Sequence, residues 1–213
     1  MVITQYYKLT APEYKDMIVK RTTKGESYIY TLNEWIDFDT IEFFGDDRLF
    51  KDEYELINEN YVDKLIVLYE NQIKSLLIKA ENLAKNYHKE QTDKGGNPYM
   101  NHIYSVVGEV SLPEEKIIAY LHDALEDTEM TVGKMKQHRI PEWIITHVEL
   151  LTHKKEEDYF DYVNRLRYFP FAKNVKIADL KNNLDITRLK EITEEDKERI
   201  KKYKEALRIL KEN

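Results

Sequence analysis

Cysteine is absent from the 213-residue chain. Disulfide bonds and thiolate chemistry are therefore excluded, and the composition fits a reducing compartment, so we expect a cytoplasmic protein. No apolar run of about 18 residues occurs, and the N-terminus lacks the charged and apolar regions of a signal peptide. The sequence therefore predicts a soluble chain with no membrane partner.

Long basic runs are also missing, and the chain carries a formal net charge of -7. This balance argues against a surface that neutralises phosphates, so no nucleic-acid polymer is expected as a partner. Glycine and proline are scarce, at six and five residues, while 34% of residues are charged. Such a composition favours helices with short connections, and it is compatible with a homo-oligomer.

Residues 1–60 differ from the rest and predict a small α+β appendage of unknown role. The segments Ser27–Leu32 and Trp35–Asp39 are rich in aromatic and β-branched residues, which is typical of short strands. Ala11–Lys20 follows Thr10, a residue that often caps helices, so a short helix is expected there.

The appendage is notably aromatic, and two interpretations follow. The rings form the small core of the appendage or pack on the helical domain, or they provide a surface for a protein partner. The side chains concerned are Tyr28, Tyr30, Trp35, Phe38, Phe43 and Phe44.

Residues 61–213 predict an all-α domain. Apolar residues recur at steps of three and four from Val62 to Tyr87, which indicates a long amphipathic helix. Further helices are expected at 100–110, 113–127, 132–138, 141–153, 156–168, 170–184 and 194–210. The fold class is therefore mainly α, a compact helical bundle with the N-terminal appendage.

One predicted helix, over residues 113–127, carries four titratable side chains. Because each residue turns a helix by roughly 100°, His122, Asp123, Glu126 and Asp127 share one face. A solvated outer face is the common reason for such a cluster. The alternative is a divalent metal with an acid/base pair, which would explain why Asp and His stand in a helix interior where they gain little.

Two residues elsewhere could complete such a metal site. His102 opens the preceding predicted helix, and Asp179 lies in an otherwise apolar helical stretch. Each has a plain structural alternative, since His102 could be a packed or capping histidine and Asp179 could pair with Lys176. The remaining histidines lack such carboxylate neighbours and are interpreted as structural: His88, His138, His147 and His153.

The order of these motifs is specific. His102 is followed by Leu121–Thr128, then by Val175–Asp179 with Asn183, and the loop holds Gln91, Pro98 and Tyr99. In this combination the chain resembles the HD-domain metal-dependent phosphohydrolase superfamily. The resemblance is greatest to RelA/SpoT-type hydrolase domains and their free-standing relatives, the small alarmone hydrolases. It extends from about residue 80 to residue 188.

The resemblance implies a divalent ion, expected to be Mn²⁺, held by His102, His122, Asp123 and Asp179. Two imidazoles and two carboxylates suit Mn²⁺ and would also accept Fe, Zn or Ni. In such domains the ion lowers the pKa of a bound water and polarises a phosphoryl oxygen.

The resemblance also assigns roles around the ion. Glu126 and Asp127 are expected to position or deprotonate the attacking water. Lys176 and Asn183 are expected to approach the nucleotide.

Two further candidates for substrate contacts lie outside these motifs. Lys94, in the glycine-bearing loop, is a candidate for phosphate contacts, although it could equally be a solvated loop lysine. Tyr159 is a candidate for contacts with the base or sugar.

Two positions depart from the family pattern. Asp93 stands where RelA/SpoT-type domains usually place the arginine that packs on guanine, and a carboxylate cannot replace a guanidinium in that contact. Ile103 follows the first histidine, where the family commonly has proline. The first change bears on the substrate, whereas the second is a small structural change.

The leading expectation is an enzyme that removes the 3′-pyrophosphate of (p)ppGpp through a metal-activated water. A nucleotidase or pyrophosphohydrolase acting on another nucleotide, including NADPH-like 2′-phosphates, is the alternative within the enzymes. A nucleotide-binding regulatory module with an N-terminal partner surface is the alternative from another class.

Overall fold

The structure, a computed structural model, describes residues 3–38, 53–188 and 193–212. Contacts divide the chain into two units, Met1–Leu76 and Leu77–Asn213. Helix α1, Val62–Tyr87, begins in the first unit and ends in the second. The expected domain boundary after residue 60 stays a prediction.

The first unit contains an antiparallel sheet with strand order β4-β3-β2-β1-β5. In the register of the sheet, Val19 of β2 lies between Tyr7 of β1 and Ile29 of β3. Val19 and Ile29 are fully buried, so the middle of the sheet contributes to the core of this unit. The strands are β1 Thr4–Leu9, β2 Ile18–Thr22, β3 Ser27–Thr31, β4 Glu34–Asp37 and β5 Tyr54–Ile57.

The helix predicted over Ala11–Lys20 is wrong. Pro12–Tyr14 forms a single 3-10 turn, Asp16 has a φ of 67°, and Ile18 begins strand β2. The positive φ stops a right-handed helix. The β-branched pair Ile18 and Val19 then fits the strand that pairs with β1.

The two strands predicted in this unit are confirmed, and three others were missed. Strands β3 and β4 match the predicted segments Ser27–Leu32 and Trp35–Asp39, of which Asp39 lies outside the described residues. Strands β1, β2 and β5 are short and depend on one another for pairing. Their local sequence gives little signal of its own.

Part of the aromatic set forms the core of this unit. Tyr30 and Phe38 are buried. The ring centroid of Tyr30 lies 5.1 Å from that of Trp35, and the centroid of Phe38 lies 5.5 Å from that of Tyr14. Two of the predicted aromatic residues lie outside the described part of the chain: Phe43 and Phe44.

The second unit is helical and is organised around α8, Pro170–Asn183. This helix contacts α2, α3, α6, α7 and α9. It buries residues on several sides, including Phe171, Val175 and Leu180. The other helices are α2 Met100–Glu109, α3 Pro113–Leu121, α4 Ala124–Asp127, α5 Val132–Gln137, α6 Glu142–Leu151, α7 Tyr159–Leu166 and α9 Glu194–Lys211.

Most predicted helices are confirmed, with differences of a few residues at their ends. Helix α7 begins at Tyr159 rather than at the predicted Glu156, because the Asp158 side chain caps the backbone N–H groups of Phe160 and Asp161. None of the described helices is long and apolar enough to cross a membrane.

The continuous helix predicted over 113–127 is wrong. Helix α3 ends at Leu121, and Asp123, with φ −96° and ψ −1°, begins the separate turn α4. His122 turns its ring back, and its Nδ1 donates to the carbonyl oxygen of Ala119 at 2.7 Å. The φ and ψ of Asp123 lie in the bridge region, and the regular helix is interrupted there. The four titratable residues therefore do not share one face of a single helix.

Candidate metal centre

Two buried histidines meet where α2, α3 and α8 pack against one another. His102 lies in the first turn of α2, and His122 directly follows α3. Their Nε2 atoms are 3.3 Å apart. His102 Nδ1 lies 2.7 Å from Asn182 Oδ1, and His122 Nδ1 lies 2.7 Å from the Ala119 carbonyl oxygen. Because both Nδ1–H groups have acceptors, both Nε2 lone pairs are directed at the same point.

Two carboxylates approach the same point. Asp123 Oδ2 lies 3.0 Å from Nε2 of His122 and 3.4 Å from Nε2 of His102. Asp179 Oδ1 lies 3.4 Å from Nε2 of His102 and 3.9 Å from that of His122. Donor atoms bound to one ion at about 2.1 Å each lie roughly 3–4 Å apart, so these spacings fit a single divalent cation.

The structure therefore contains a buried group that could hold a metal ion. The donor atoms of His102, His122 and Asp179 all lie within 4.8 Å of one another, and all three residues are buried. Asp123 lies outside that mutually close trio but contacts both imidazoles. Imidazole nitrogens and carboxylate oxygens together are a donor set that several divalent transition metals accept.

The charges in this group depend on one another. Burial alone would lower the pKa of His122, but the Asp123 carboxylate, followed by Asp179, raises it to about 9. Burial alone would raise the pKa of Asp123, but its contacts with His122 and His102 hold it well below its usual range. A proton on His122 thus balances negative charge that a cation would otherwise neutralise.

Lys176 and Asn183 both contact Asp179, and Asn183 also lines the cavity beside the metal group. Lys176 Nζ donates to Asp179 Oδ2 at 2.8 Å, and Asn183 Nδ2 donates to Asp179 Oδ1 at 2.5 Å. These residues lie three positions before and four positions after Asp179 on α8, so one helix face holds the group. Burial opposes the charge on Lys176, yet Asp179 raises its pKa well above the usual value. In this structure both side chains orient Asp179.

Tyr99 links the metal group to Asp127, and the sequence did not identify it as a site residue. Its hydroxyl lies 2.6 Å from Asp123 Oδ2 and 3.0 Å from Asp127 Oδ2. Burial, followed by the nearby carboxylates, raises the pKa of Tyr99, so the phenol keeps its proton. A single proton can serve one of these two carboxylates at a time.

His88 and Gln91 fix the position of Tyr99. The His88 ring stacks on the Tyr99 ring, with centroids 5.1 Å apart and an interplanar angle of 20°. His88 Nδ1 lies 2.5 Å from Gln91 Oε1, and Gln91 Nε2 donates to the Asp127 carbonyl oxygen. His88, interpreted as structural from the sequence, therefore stabilises Tyr99 through ring stacking. The sequence feature that could have indicated this role is its position three residues before Gln91.

Glu126 lies in α4 and accepts a hydrogen bond from the His153 backbone N–H at 3.1 Å. The residue is exposed, but loss of hydration around its carboxyl group raises the pKa. The negative charges of Asp123 and Asp127 act in the same direction, whereas the His153 bond and the charge of Lys176 oppose the shift. A carboxyl group with a raised pKa is a usable proton acceptor near neutral pH.

A cavity of about 200 Å³ reaches the metal group. It is lined by His102, Tyr99 and Asn183 on one part of its wall and by Lys94 and Arg199 on another. Lys94 lines the same cavity as His102, and its expected phosphate contact stays a prediction, whereas the sequence did not single out Arg199. A cavity of this volume is smaller than the ~300–1,000 Å³ of drug-sized pockets.

Tyr159 packs beside the site without lining this cavity. Its ring lies 6.0 Å from that of Tyr162, and the Lys202 ammonium lies 4.3 Å from its centroid. The hydroxyl is buried and has no hydrogen-bond partner among the described residues. Burial raises the pKa of Tyr159, and the charge of Lys176 opposes that shift. The predicted contact with base or sugar stays a prediction.

The chain shares its fold, over 64% of its length, with a solved structure. The structural similarity is to a protein described as a metazoan ortholog of SpoT that hydrolyzes ppGpp and plays a role in starvation responses. The match has a TM-score of 0.52 and 21% identity, and it covers 64% of this chain and 86% of that one.

The chain is also similar in sequence to a curated protein whose name describes hydrolysis of guanosine-3′,5′-bis(diphosphate). The chain is 29% identical over 141 residues to guanosine-3′,5′-bis(diphosphate) 3′-pyrophosphohydrolase of Aquifex aeolicus (strain VF5), covering 61% of this chain. The match spans 20% of the length of that relative. No protein-family model matches the chain. Together the two similarities confirm the resemblance to RelA/SpoT-type hydrolases.

Proposed function

We propose that this chain hydrolyses (p)ppGpp at its 3′-pyrophosphate, using a divalent ion held by His102, His122, Asp123 and Asp179. The observation that carries the proposal is the convergence of two imidazole Nε2 atoms, 3.3 Å apart, with two carboxylates. The similarity to proteins described as ppGpp hydrolases supports the choice of substrate. The domain responsible is residues 61–213.

We propose Mn²⁺ as the ion, since the donor set combines imidazoles with carboxylates. When bound, the ion supplies Lewis acidity that lowers the pKa of a water molecule and polarises a phosphoryl oxygen. The chain supplies the rest. Lys176 and Asn183 hold Asp179, while Asn182 and the Ala119 carbonyl hold the imidazoles.

Glu126 and Asp127 are the proposed proton acceptors. The raised pKa of Glu126 suits a general base. Asp127 lies within reach of the Tyr99 hydroxyl, which also reaches Asp123, so one phenol can donate its proton either to a base or to a metal ligand. The water oxygen forms a bond to the phosphorus, the bond from that phosphorus to ribose O3′ breaks, and the proton of the water passes to the carboxylate.

The products are pyrophosphate and GDP or GTP. O3′ leaves as an alkoxide and takes up a proton, so water is added across the broken bond. The cavity beside His102 and Asn183 offers room for the remainder of the nucleotide. Cytoplasmic location and homo-oligomer formation stay predictions from the sequence.

The test is a nucleotide panel with Mn²⁺, assayed for released pyrophosphate and phosphate. The panel contains ppGpp, pppGpp, NADPH and the ordinary nucleoside triphosphates. We expect pyrophosphate from the first two compounds only. Absence of turnover of ppGpp beside rapid turnover of another nucleotide would contradict the proposal.

Substitution of the proposed bases tests the chemistry separately from the substrate. Glu126→Gln and Asp127→Asn remove a proton acceptor while keeping the shape of the side chain. Each is expected to lower kcat by about 100-fold or more with the metal content unchanged. Full turnover by Asp127→Asn with normal metal content would remove Asp127 from the mechanism.

One observation favours a second candidate, an enzyme acting on another nucleotide. Asp93 lines the cavity where RelA/SpoT-type domains place the arginine that packs on guanine. A carboxylate there could instead accept hydrogen bonds from a different base. Replacing guanosine by adenosine in the 3′-diphosphate substrate distinguishes the two candidates, because the proposed function requires slower hydrolysis of the adenosine compound.

A further inference from the structure

Two cationic side chains face the cavity from different parts of the second unit. Lys94 lies in the loop before α2, and Arg199 lies in the second turn of α9. Among the described residues that line the cavity, Lys94 and Arg199 are the cationic ones. His102 and Asn183 line the same cavity. The cavity therefore connects the metal group to a pair of cations.

A buried carboxylate holds these two cations in place. Asp196 Oδ1 lies 3.3 Å from Lys94 Nζ and 3.0 Å from Arg199 Nη2. The other oxygen of Asp196 accepts hydrogen bonds from the backbone N–H and the hydroxyl of Thr193, at 3.1 and 2.8 Å. Because one carboxylate faces two cations, this group of three charges carries a net positive charge.

Arg199 retains unused capacity to donate hydrogen bonds. Its Nε atom is buried and has no hydrogen-bond partner among the described residues. The side chain as a whole is 25% exposed. A guanidinium has five N–H groups in a fixed fork, so contact with Asp196 leaves donors for an anionic ligand.

The acidic residues of the cavity restrict where a phosphate can lie. Asp93 and Asp185 also line it. Asp93 Oδ1 accepts from the Asn97 backbone N–H at 2.8 Å, and Asp185 Oδ1 accepts from that of Thr187 at 3.0 Å, so both carboxylates shape local turns. Like charges repel, so phosphate groups are favoured beside Lys94 and Arg199 and disfavoured beside these carboxylates.

We propose that Arg199, together with Lys94, binds the 5′-diphosphate of the nucleotide whose 3′-diphosphate is cleaved at the metal group. The proposal rests on the proposed function, which places the 3′-diphosphate beside His102 and His122. It makes α9 part of the substrate site.

The experiment compares two substrates on the full chain loaded with Mn²⁺. One carries 3′- and 5′-diphosphates on guanosine, and the other carries the 3′-diphosphate with a free 5′-hydroxyl. Arg199→Ala is expected to lower kcat/KM by about 10- to 100-fold for the first substrate, mainly through KM, because a charge-assisted contact is lost. For the second substrate, which lacks the 5′-diphosphate, Arg199→Ala is expected to change kcat/KM by less than about threefold.

Two further variants define the origin of the effect. Arg199→Lys keeps the charge without the fork and is expected to lose less than Arg199→Ala. Arg208→Ala is the matched control, because Arg208 is an exposed arginine of the same helix that pairs with Glu205 and Glu212. Arg208→Ala is expected to leave kcat/KM unchanged for both substrates.

Equal penalties for Arg199→Ala on both substrates, or no penalty on either, would overturn the inference. If the wild type released no pyrophosphate from either substrate, the proposed function would fail instead. Calorimetric binding of guanosine 5′-diphosphate needs no turnover and decides the inference in that case. Weaker binding by Arg199→Ala than by the wild type supports it, and equal binding overturns it.

Discussion

The metal group and the part of the cavity wall that carries Lys94 differ in how deeply their side chains are buried. His102 and His122 are 4% and 3% exposed, and each has its second ring nitrogen bonded within the helical unit. The side chain of Lys94 is 56% exposed and rests on one ion pair. Under the proposed function, bond cleavage falls to residues that the core holds fixed. Lys94, a proposed substrate contact, can by contrast change with little effect on the core.

The largest expected effect on metal content and activity comes from removing one of the proposed metal ligands in the buried group. His122→Ala deletes one Nε2 donor, and it should lower both metal content and activity by more than about 100-fold, since even residues that only support ligands cost 10–100-fold. Metal analysis and pyrophosphate release measure the two quantities. His138→Ala is the control, because His138 is an exposed histidine of the same unit. Unchanged metal content in His122→Ala would contradict the site.

The next effect concerns the stability of the metal-free protein. Lys176→Met leaves the buried Asp179 carboxylate without its 2.8 Å partner, so the free energy of unfolding should fall by about 3–5 kcal/mol. Lys181→Met, on the same helix, breaks an exposed pair with Glu109 and should cost less than about 1 kcal/mol. Urea unfolding measures both. Similar losses in the two variants would remove the distinction between buried and exposed charge pairs.

A smaller effect is expected from the residue that joins ligand and base. Tyr99→Phe removes the hydroxyl contacts to Asp123 and Asp127 while keeping the ring that stacks on His88. It should lower kcat by about 10- to 100-fold. Tyr104→Phe is the control, since its hydroxyl contacts the surface residue Glu81. A normal kcat with normal metal content would show that Tyr99 serves packing alone.

The smallest expected effect is the change in metal affinity with each pH unit. The pKa of His122 is raised to about 9 in the metal-free protein, so the ring is mainly protonated at pH 7 and must lose that proton to bind an ion. Metal affinity should therefore fall about tenfold for each pH unit below 9. Calorimetry in buffers of different ionisation enthalpy should show release of about one proton per ion. Binding without proton release at pH 7 would contradict this charge state.

The sequence was most informative where a residue type is chemically unusual for its surroundings. Asp179 in an apolar stretch and His122 beside Asp123 were identifiable because buried ionisable groups need partners. Their convergence could be anticipated only through the resemblance to known motifs, since residues 102, 122 and 179 are distant in the chain. The structure brings their donor atoms within bonding range of one ion.

The features that the sequence missed depend on tertiary contacts. Helix α3 ends at Leu121, where the backbone of Asp123 departs from helical dihedral angles, and periodicity cannot reveal this interruption. Arg199 is one charge in a highly charged helix, and only the buried Asp196 distinguishes it from its neighbours. Strands β1 and β5 pair although they are distant in the chain, and no local pattern in the sequence predicts that pairing.

The central claim is that two imidazoles and two carboxylates hold one divalent ion in the helical unit. The most direct measurement is anomalous diffraction from crystals of the Mn²⁺-loaded protein. We predict one strong anomalous peak at about 2.2 Å from His102 Nε2, His122 Nε2 and the nearest carboxylate oxygens of Asp123 and Asp179. A fully loaded crystal with no peak at this position, or with its peak elsewhere, would contradict the account.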